Sequence, residues 1–201
     1  MNIYSIKPAF QKFLNPLARV LAKKKIHPTN INVWALIVSI TGGLALFYAE
    51  QNLFLLLYIP VMAFARTALN ALDGIIARIN KVKHQDYGEV LNELTDRLSD
   101  MAIFLGLALA PYTNQTLGML SVTSILLVSY MGILPKAANA KRQYSGPLGK
   151  ADRMFYLSIG AILMFIFPAT PIMNYFLIFI ILGSALTIVN RFIKSKNELK
   201  K

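Results

Sequence analysis

The chain has 201 residues, is 56% hydrophobic and carries a formal net charge of +12. A mean hydropathy of +0.52 is too high for an ordinary soluble domain, so the sequence reads as one membrane domain. With no cysteine and only two histidines, it excludes disulfides and thiolate metal sites and argues against a histidine-based metal centre.

The N-terminal stretch comes first. Ile3, Ile6, Phe10, Phe13, Leu14, Leu17 and Leu21 recur at helical spacing, with Lys7, Lys12 and Arg19 between them. This pattern predicts an amphipathic helix lying on the membrane surface. It lacks the early apolar core and small-residue cleavage site of a signal peptide.

Six apolar runs follow, at roughly 31–50, 53–79, 89–111, 116–138, 153–169 and 172–193. Each is near the length that crosses a bilayer, about 20 residues. The second would make a helix of about 40 Å and should project past the hydrocarbon core. Expected is an all-α integral membrane protein with six transmembrane helices and an N-terminal amphipathic surface helix. It forms a single domain over 1–201. Residues 1–29 are juxtamembrane, 31–193 the six-helix core and 194–201 a basic cytoplasmic tail.

Charge orients these spans. Lys23 to Lys25 precede the first span, Lys81 and Lys83 follow the second, Lys141, Arg142 and Lys150 follow the fourth, and Lys194, Lys196, Lys200 and Lys201 follow the sixth. The opposite loops, around Glu50–Asn52, Pro111–Gln115 and Pro168–Pro171, carry no Lys or Arg. The positive-inside rule places both termini in the cytoplasm of a bacterial inner or plasma membrane. In a soluble protein the net charge would point to nucleic acid. Because the basic residues flank apolar runs, the expected partners are membrane lipids or a phosphate-bearing substrate, and no nucleic acid. His27 and His84 read as surface residues, and Trp34 as an interface anchor.

The chemistry concentrates near the ends of spans two and three. Acids within a membrane are costly and usually face a wet cavity, a partner or an ion. Asn70, Asp73 and Ala77 share one helix face, and Asn92, Asp96 and Asp100 share another. A short loop can bring these faces together. Carboxylate and amide oxygens from two helices suit a hard cation such as Mg²⁺, Mn²⁺ or Ca²⁺. Gly74 and Ala77 leave room for a bulky ligand, and Arg78 can hold a phosphate oxygen. The bland alternative is a structural network, with Asp73 paired to Arg66 or Arg78 and Asp96 or Asp100 paired to Arg97.

The sequence reads Asn70-x2-Asp73-Gly74-x2-Ala77-Arg78, nine residues, then Gly88-x3-Asn92-x3-Asp96. This resembles the motif of the CDP-alcohol phosphatidyltransferases, D-x2-D-G-x2-A-R followed by G-x3-D-x3-D. Pro28–Asn32 looks like a looser form of that family's P-N-x-I-T run. The resemblance implies transfer of a phosphatidyl-type group from a CDP-linked lipid, CDP-diacylglycerol-like, to an alcohol acceptor, with release of CMP. It implies divalent Mg²⁺ or Mn²⁺ held by Asp73 and its neighbours, a nucleotide site lined by Gly74, Ala77 and Arg78, and Asp96 as general base. Members are often homodimers, and Gly42-Gly43 permit close helix contact.

Two positions depart from the pattern. Asn70 and Asn92 stand where the family has acids, and an amide brings no negative charge. Three readings stand. The site holds one metal, or two more weakly; Asp100 joins the metal ligands Asn70, Asp73, Asn92 and Asp96; or turnover is lost and only lipid or metal binding remains. From another class, the rival is a small ion- or proton-coupled transporter. A second basic element, KRQYSGPLGKADR at 141–153, combines a Gly-Pro turn with a helix start. Arg142, Lys150 and Arg153 are candidates for an acceptor phosphate. The bland reading is a positive-inside loop.

Overall fold

A computed structural model describes residues 7–80 and 85–200. The elements of the described chain are all helical: α1 Lys7–Lys23, α2 Pro28–Phe47, a 3-10 turn Tyr48–Glu50, α3 Leu55–Ile79, α4 Gln85–Ala108, α5 Gln115–Ala137, α6 Lys150–Ile166 and α7 Ile172–Leu199. Ile3, Ile6, Lys81, Lys83, His84 and Lys201 fall outside the described residues. Local chemistry sets several starts. His27 caps α2, its Nδ1 accepting from Thr29 N at 3.3 Å, and Pro28 opens the helix. Asn114 Oδ1 caps α5 through Leu117 N at 3.1 Å. Asp152 Oδ2 accepts from Gly149 N at 2.9 Å at the start of α6.

Six helices stand where six spans are expected, but among the described residues only four are long and apolar enough to cross a membrane: α2, α3, α5 and α7. The other two miss for different reasons. The first two-thirds of α4 carry Glu89, Glu93, Asp96, Arg97 and Asp100. α6 has 17 residues, about 25 Å, short of the hydrocarbon core.

The central core joins α2 to α7 through residues such as Leu46, Ile59, Phe104, Ile125, Leu157 and Ile180. A smaller cluster seats α1 on the ends of α2 and α3, through Leu14 and Ala18 against Ile31, Leu72 and Ile76. Phe13, Leu17 and Val20 remain exposed on α1. This helix therefore divides its apolar side between the protein and its surroundings.

Backbone contact decides which helices meet. A Cβ on Gly106 would lie 2.1 Å from Gly43 O, and one on Gly43 would lie 2.1 Å from Ala102 O. α2 and α4 thus cross with their backbones touching. Gly42 is filled from α3 by the Met62 side chain, and Gly118 of α5 abuts Ala108 of α4. The Gly42-Gly43 pair therefore serves contacts inside the chain, which removes the support it lent to a homodimer.

α3 and α4 do not form a packed hairpin among the described residues; α2 packs against both, and α6 packs against α3. The glycine crossing pulls α4 onto α2 instead. A gap opens between the two acid-bearing helices, and the bundle's main cavity lies there.

Gly106→Ala forces a backbone apart. It should lower the thermal unfolding midpoint in detergent, by about 1–3 kcal/mol of overpacking strain. Gly160→Ala meets only ordinary contacts, at 3.7 Å and beyond, and should hold the midpoint or raise it slightly.

Candidate active site

The cavity has a volume of about 570 Å³. α3 contributes Arg66 and Asn70, and α4 contributes Asn92, Glu93, Asp96 and Arg97. The loop before α6 contributes Arg142 and Tyr144, and α6 contributes Lys150, Asp152 and Arg153. Its apolar wall includes Phe10, Pro60, Phe64 and Phe155. Phe10 of α1 meets Phe64 of α3 edge-on, with centroids 6.0 Å apart. The lining combines charged and apolar side chains, which suits an amphiphilic ligand.

The innermost element is a buried charge triad. Asp100 Oδ1 accepts from Arg66 Nη2 at 2.6 Å, and Asp100 Oδ2 accepts from Arg153 Nη2 at 2.8 Å. The Asp100 and Arg66 side chains have no exposure. Arg66 Nη2 also donates to Asp96 O at 3.3 Å. Three helices, α3, α4 and α6, meet at this carboxylate. Its oxygens are committed to guanidinium groups, which sets Asp100 apart from the other candidate metal ligands. Arg153, a candidate for acceptor phosphate, is committed to the same carboxylate.

The middle of the cavity is wetter. Lys150 Nζ donates to Asp96 Oδ1, and Arg142 pairs with Glu93. Glu93 also receives Arg97 from its own helix. Arg142 stacks on Tyr144, 5.2 Å from the ring centroid. Burial works against the Arg142 charge, but Glu93 beside it outweighs that, so its pKa lies above the ordinary guanidinium value. The Nδ2 of Asn70 is buried with no hydrogen-bond partner.

The remaining motif residues lie apart. Asp73 is buried, and its Oδ1 accepts from Gly74 N at 2.6 Å. Gly74 and Arg78 are exposed, and neither they, Ala77 nor Asp73 lines the cavity. Among the described residues, no three Asp, Glu or His side chains converge as a metal-binding group.

The loop 138–149 is held mainly by α7. Arg191 Nε donates to Ser145 O at 3.0 Å and Arg191 Nη1 to Val128 O at 2.5 Å. Leu148 N donates to Thr187 Oγ1 at 3.1 Å. Glu198 accepts from Lys141 N at 2.9 Å and from Gln143 Nε2 at 2.8 Å. Gly146 passes Thr187 with φ at +112°, where a Cβ would lie 2.5 Å from the Thr187 methyl carbon. Only glycine fits there. Arg191 is a functional candidate absent from the motif reading. Its signal was a lone arginine late in an apolar run.

No family model matches the chain. Inner membrane protein YnbA of Escherichia coli is 36% identical over 168 residues, 84% of this chain and 83% of YnbA. The chain belongs to the YnbA family. An archaetidylinositol phosphate synthase of Pyrococcus horikoshii is 25% identical over 97% of both chains. Phosphatidylinositol phosphate synthase PgsA1 of Mycobacterium tuberculosis, solved with CDP-DAG bound, shares the fold. Its TM-score is 0.74 at 22% identity, over 92% of this chain and 94% of PgsA1. The same enzyme with manganese and citrate also gives 0.74, at 23% identity, over 90% and 88%. The synthases among these relatives indicate a CDP-alcohol phosphatidyltransferase enzyme.

Asp100→Asn leaves two buried arginines with no full counter-charge. It should cost about 3–5 kcal/mol of stability, the usual penalty for breaking a buried pair from one side. Thermal unfolding in detergent reads this directly, and a midpoint equal to wild type would show that the triad carries no such stabilisation.

Proposed function

We propose that this protein transfers a phosphatidyl-type group from a CDP-linked lipid to an alcohol that itself carries an anionic group, releasing CMP. One observation carries this reading. The cavity is lined both by apolar side chains, suited to a lipid, and by Arg142 and Lys150 with Asp96. The synthase relatives and the CDP-DAG complex of PgsA1 support the same substrate class.

The oxygen donors fit a divalent cation, with amides making up the number. Asn70, Asn92 and Asp96 line the cavity, and Asp73 lies three residues on from Asn70 in α3. Asn70, Asp73, Asn92 and Asp96 would hold Mg²⁺ or Mn²⁺. When bound, such an ion would offset charge on the diphosphate and the departing CMP. Gly74, Ala77 and Arg78, at the exposed end of α3, would meet the nucleotide. Asp96 would take the proton of the acceptor hydroxyl. The freed oxygen bonds to the lipid-bearing phosphorus, and the phosphorus–oxygen bond to CMP breaks. Lys150 holds the Asp96 carboxylate towards the cavity. Arg142, with Lys150, would orient the acceptor anion, while Arg153 and Asp100 fix the floor beneath them.

The reading includes the membrane placement. α2 to α7 form the six-helix core of a single domain, with α1 on the cytoplasmic surface. Both termini and the polar end of the cavity face the cytoplasm, where the loops are basic. The lipid then keeps its tails in the bilayer while the acceptor enters from water.

The test uses the full chain in lipid nanodiscs with CDP-diacylglycerol, Mg²⁺ or Mn²⁺, and a panel of polyol phosphates and neutral alcohols. CMP release with a phosphate-bearing acceptor is expected. No release above that of Asp73→Ala would overturn the proposal. Asp96→Asn should lower turnover by about 100-fold or more while retaining CDP-lipid binding, the usual effect of losing a general base. Parallel loss of binding would mark Asp96 as mainly a metal ligand and remove its role as base.

A further inference from the structure

The acids of α4 form a ladder. Glu89, Glu93, Asp96 and Asp100 recur at i, i+4, i+7 and i+11, so they share one face. Each meets a cation supplied after α5 begins. Lys136 takes Glu89 at 2.5 Å, Arg142 takes Glu93, Lys150 takes Asp96, and Arg153 takes Asp100 at 2.8 Å. The rungs grade inward. The Lys136 and Glu89 side chains are more than two-fifths exposed, whereas Arg153 and Asp100 are 1% and 0% exposed.

This gradient separates roles. The outer rung is a solvated surface pair, of little energetic weight. The innermost rung is locked by the second arginine, Arg66. The two middle rungs lie in the cavity wall and are partly open to water. They are the pairs that a ligand can exchange.

At Asp96 and Lys150 the exchange has a definite consequence. A divalent cation arriving alone at Asp96 draws the carboxylate from Lys150 and leaves an ammonium without its counter-charge. An anion arriving alone at Lys150 leaves the carboxylate in the same state. When both arrive, neither protein charge is stranded. Each ligand therefore removes the penalty that opposes the other, and such coupling is reciprocal.

We infer that the Asp96–Lys150 pair couples divalent-cation binding to anion binding, so that the site fills with metal and anionic substrate together and resists either alone. The inference rests on the reading of Asp96 as a metal ligand. It adds a binding order to that reading: the empty site is neutralised by its own lysine.

The experiment measures Mn²⁺ binding by electron paramagnetic resonance on the full chain in nanodiscs, without CDP-lipid or turnover. Sulfate is the anion probe, since it does not precipitate Mn²⁺, and sodium chloride at equal ionic strength is the control. In wild type, saturating sulfate should lower the Mn²⁺ Kd by about fivefold or more, within the range of ordinary coupling. Lys150→Met should bind Mn²⁺ more tightly without sulfate, and sulfate should then change its Kd by less than about twofold. Lys150→Arg keeps a cation on Asp96 and should keep the coupling, which separates charge exchange from misfolding. A wild-type Kd indifferent to sulfate overturns the inference, and so does equal coupling in Lys150→Met. Either result, with CMP release intact, leaves the transferase reading standing. Absence of Mn²⁺ binding at millimolar metal overturns the inference together with the metal assignment.

Discussion

The Asp100 carboxylate is the point on which this architecture turns. α3 and α4 do not pack together among the described residues, so something else must hold α3, α4 and α6 around a water-accessible space. Arg66 and Arg153 reach Asp100 from α3 and α6 and close the base of that space. A dry contact would have filled the gap with side chains. An ion triad spans it with long arms and leaves volume above. The desolvation cost of three buried charges is offset only because each oxygen has its own guanidinium partner.

The glycine crossing is the other half of the arrangement. Gly43 and Gly106 let α2 and α4 touch at their backbones, away from the acids. That contact commits α4 to α2 and denies it to α3. One end of α4 is thus apolar and clamped. The other presents a row of carboxylates to a loop that comes from far along the chain. The polarity of this one helix supports both the fold and the chemistry proposed for it.

Much of this was legible in the sequence. The helix positions followed from apolar runs and basic loops, and the faces of Asn70–Asp73 and Asn92–Asp96–Asp100 followed from helical spacing. Spacing tells which residues share a face but not which helix that face meets. Arg66 was placed with Asp73 as a neighbour on its own helix, yet it reaches across to Asp100 in the next. Arg153 read as a phosphate ligand beside Lys150. It lies one turn further into the bundle, where burial assigns it to Asp100. The two faces do line one cavity, but nothing local to α3 or α4 reveals that glycines of α2 and α4 draw those two helices together. The reach of Arg191 and Glu198 to the loop 138–149 depends on contacts more than 40 residues apart, beyond any periodic pattern.

That last set of contacts makes α7 a measuring rod. Thr187, Arg191 and Glu198 grip the loop at Leu148, Ser145 and Lys141. The helix runs one way while the loop is read off in the other. From Thr187 to Glu198 the rod spans about 16 Å, at 1.5 Å per residue. Each residue also turns it by about 100°, so length and direction are set by the same count. Adding or removing a single residue between Arg191 and Glu198 would shift the last grip only slightly along the axis but swing it well off the loop. The position of Arg142 over the cavity is thus written in the number of residues in α7.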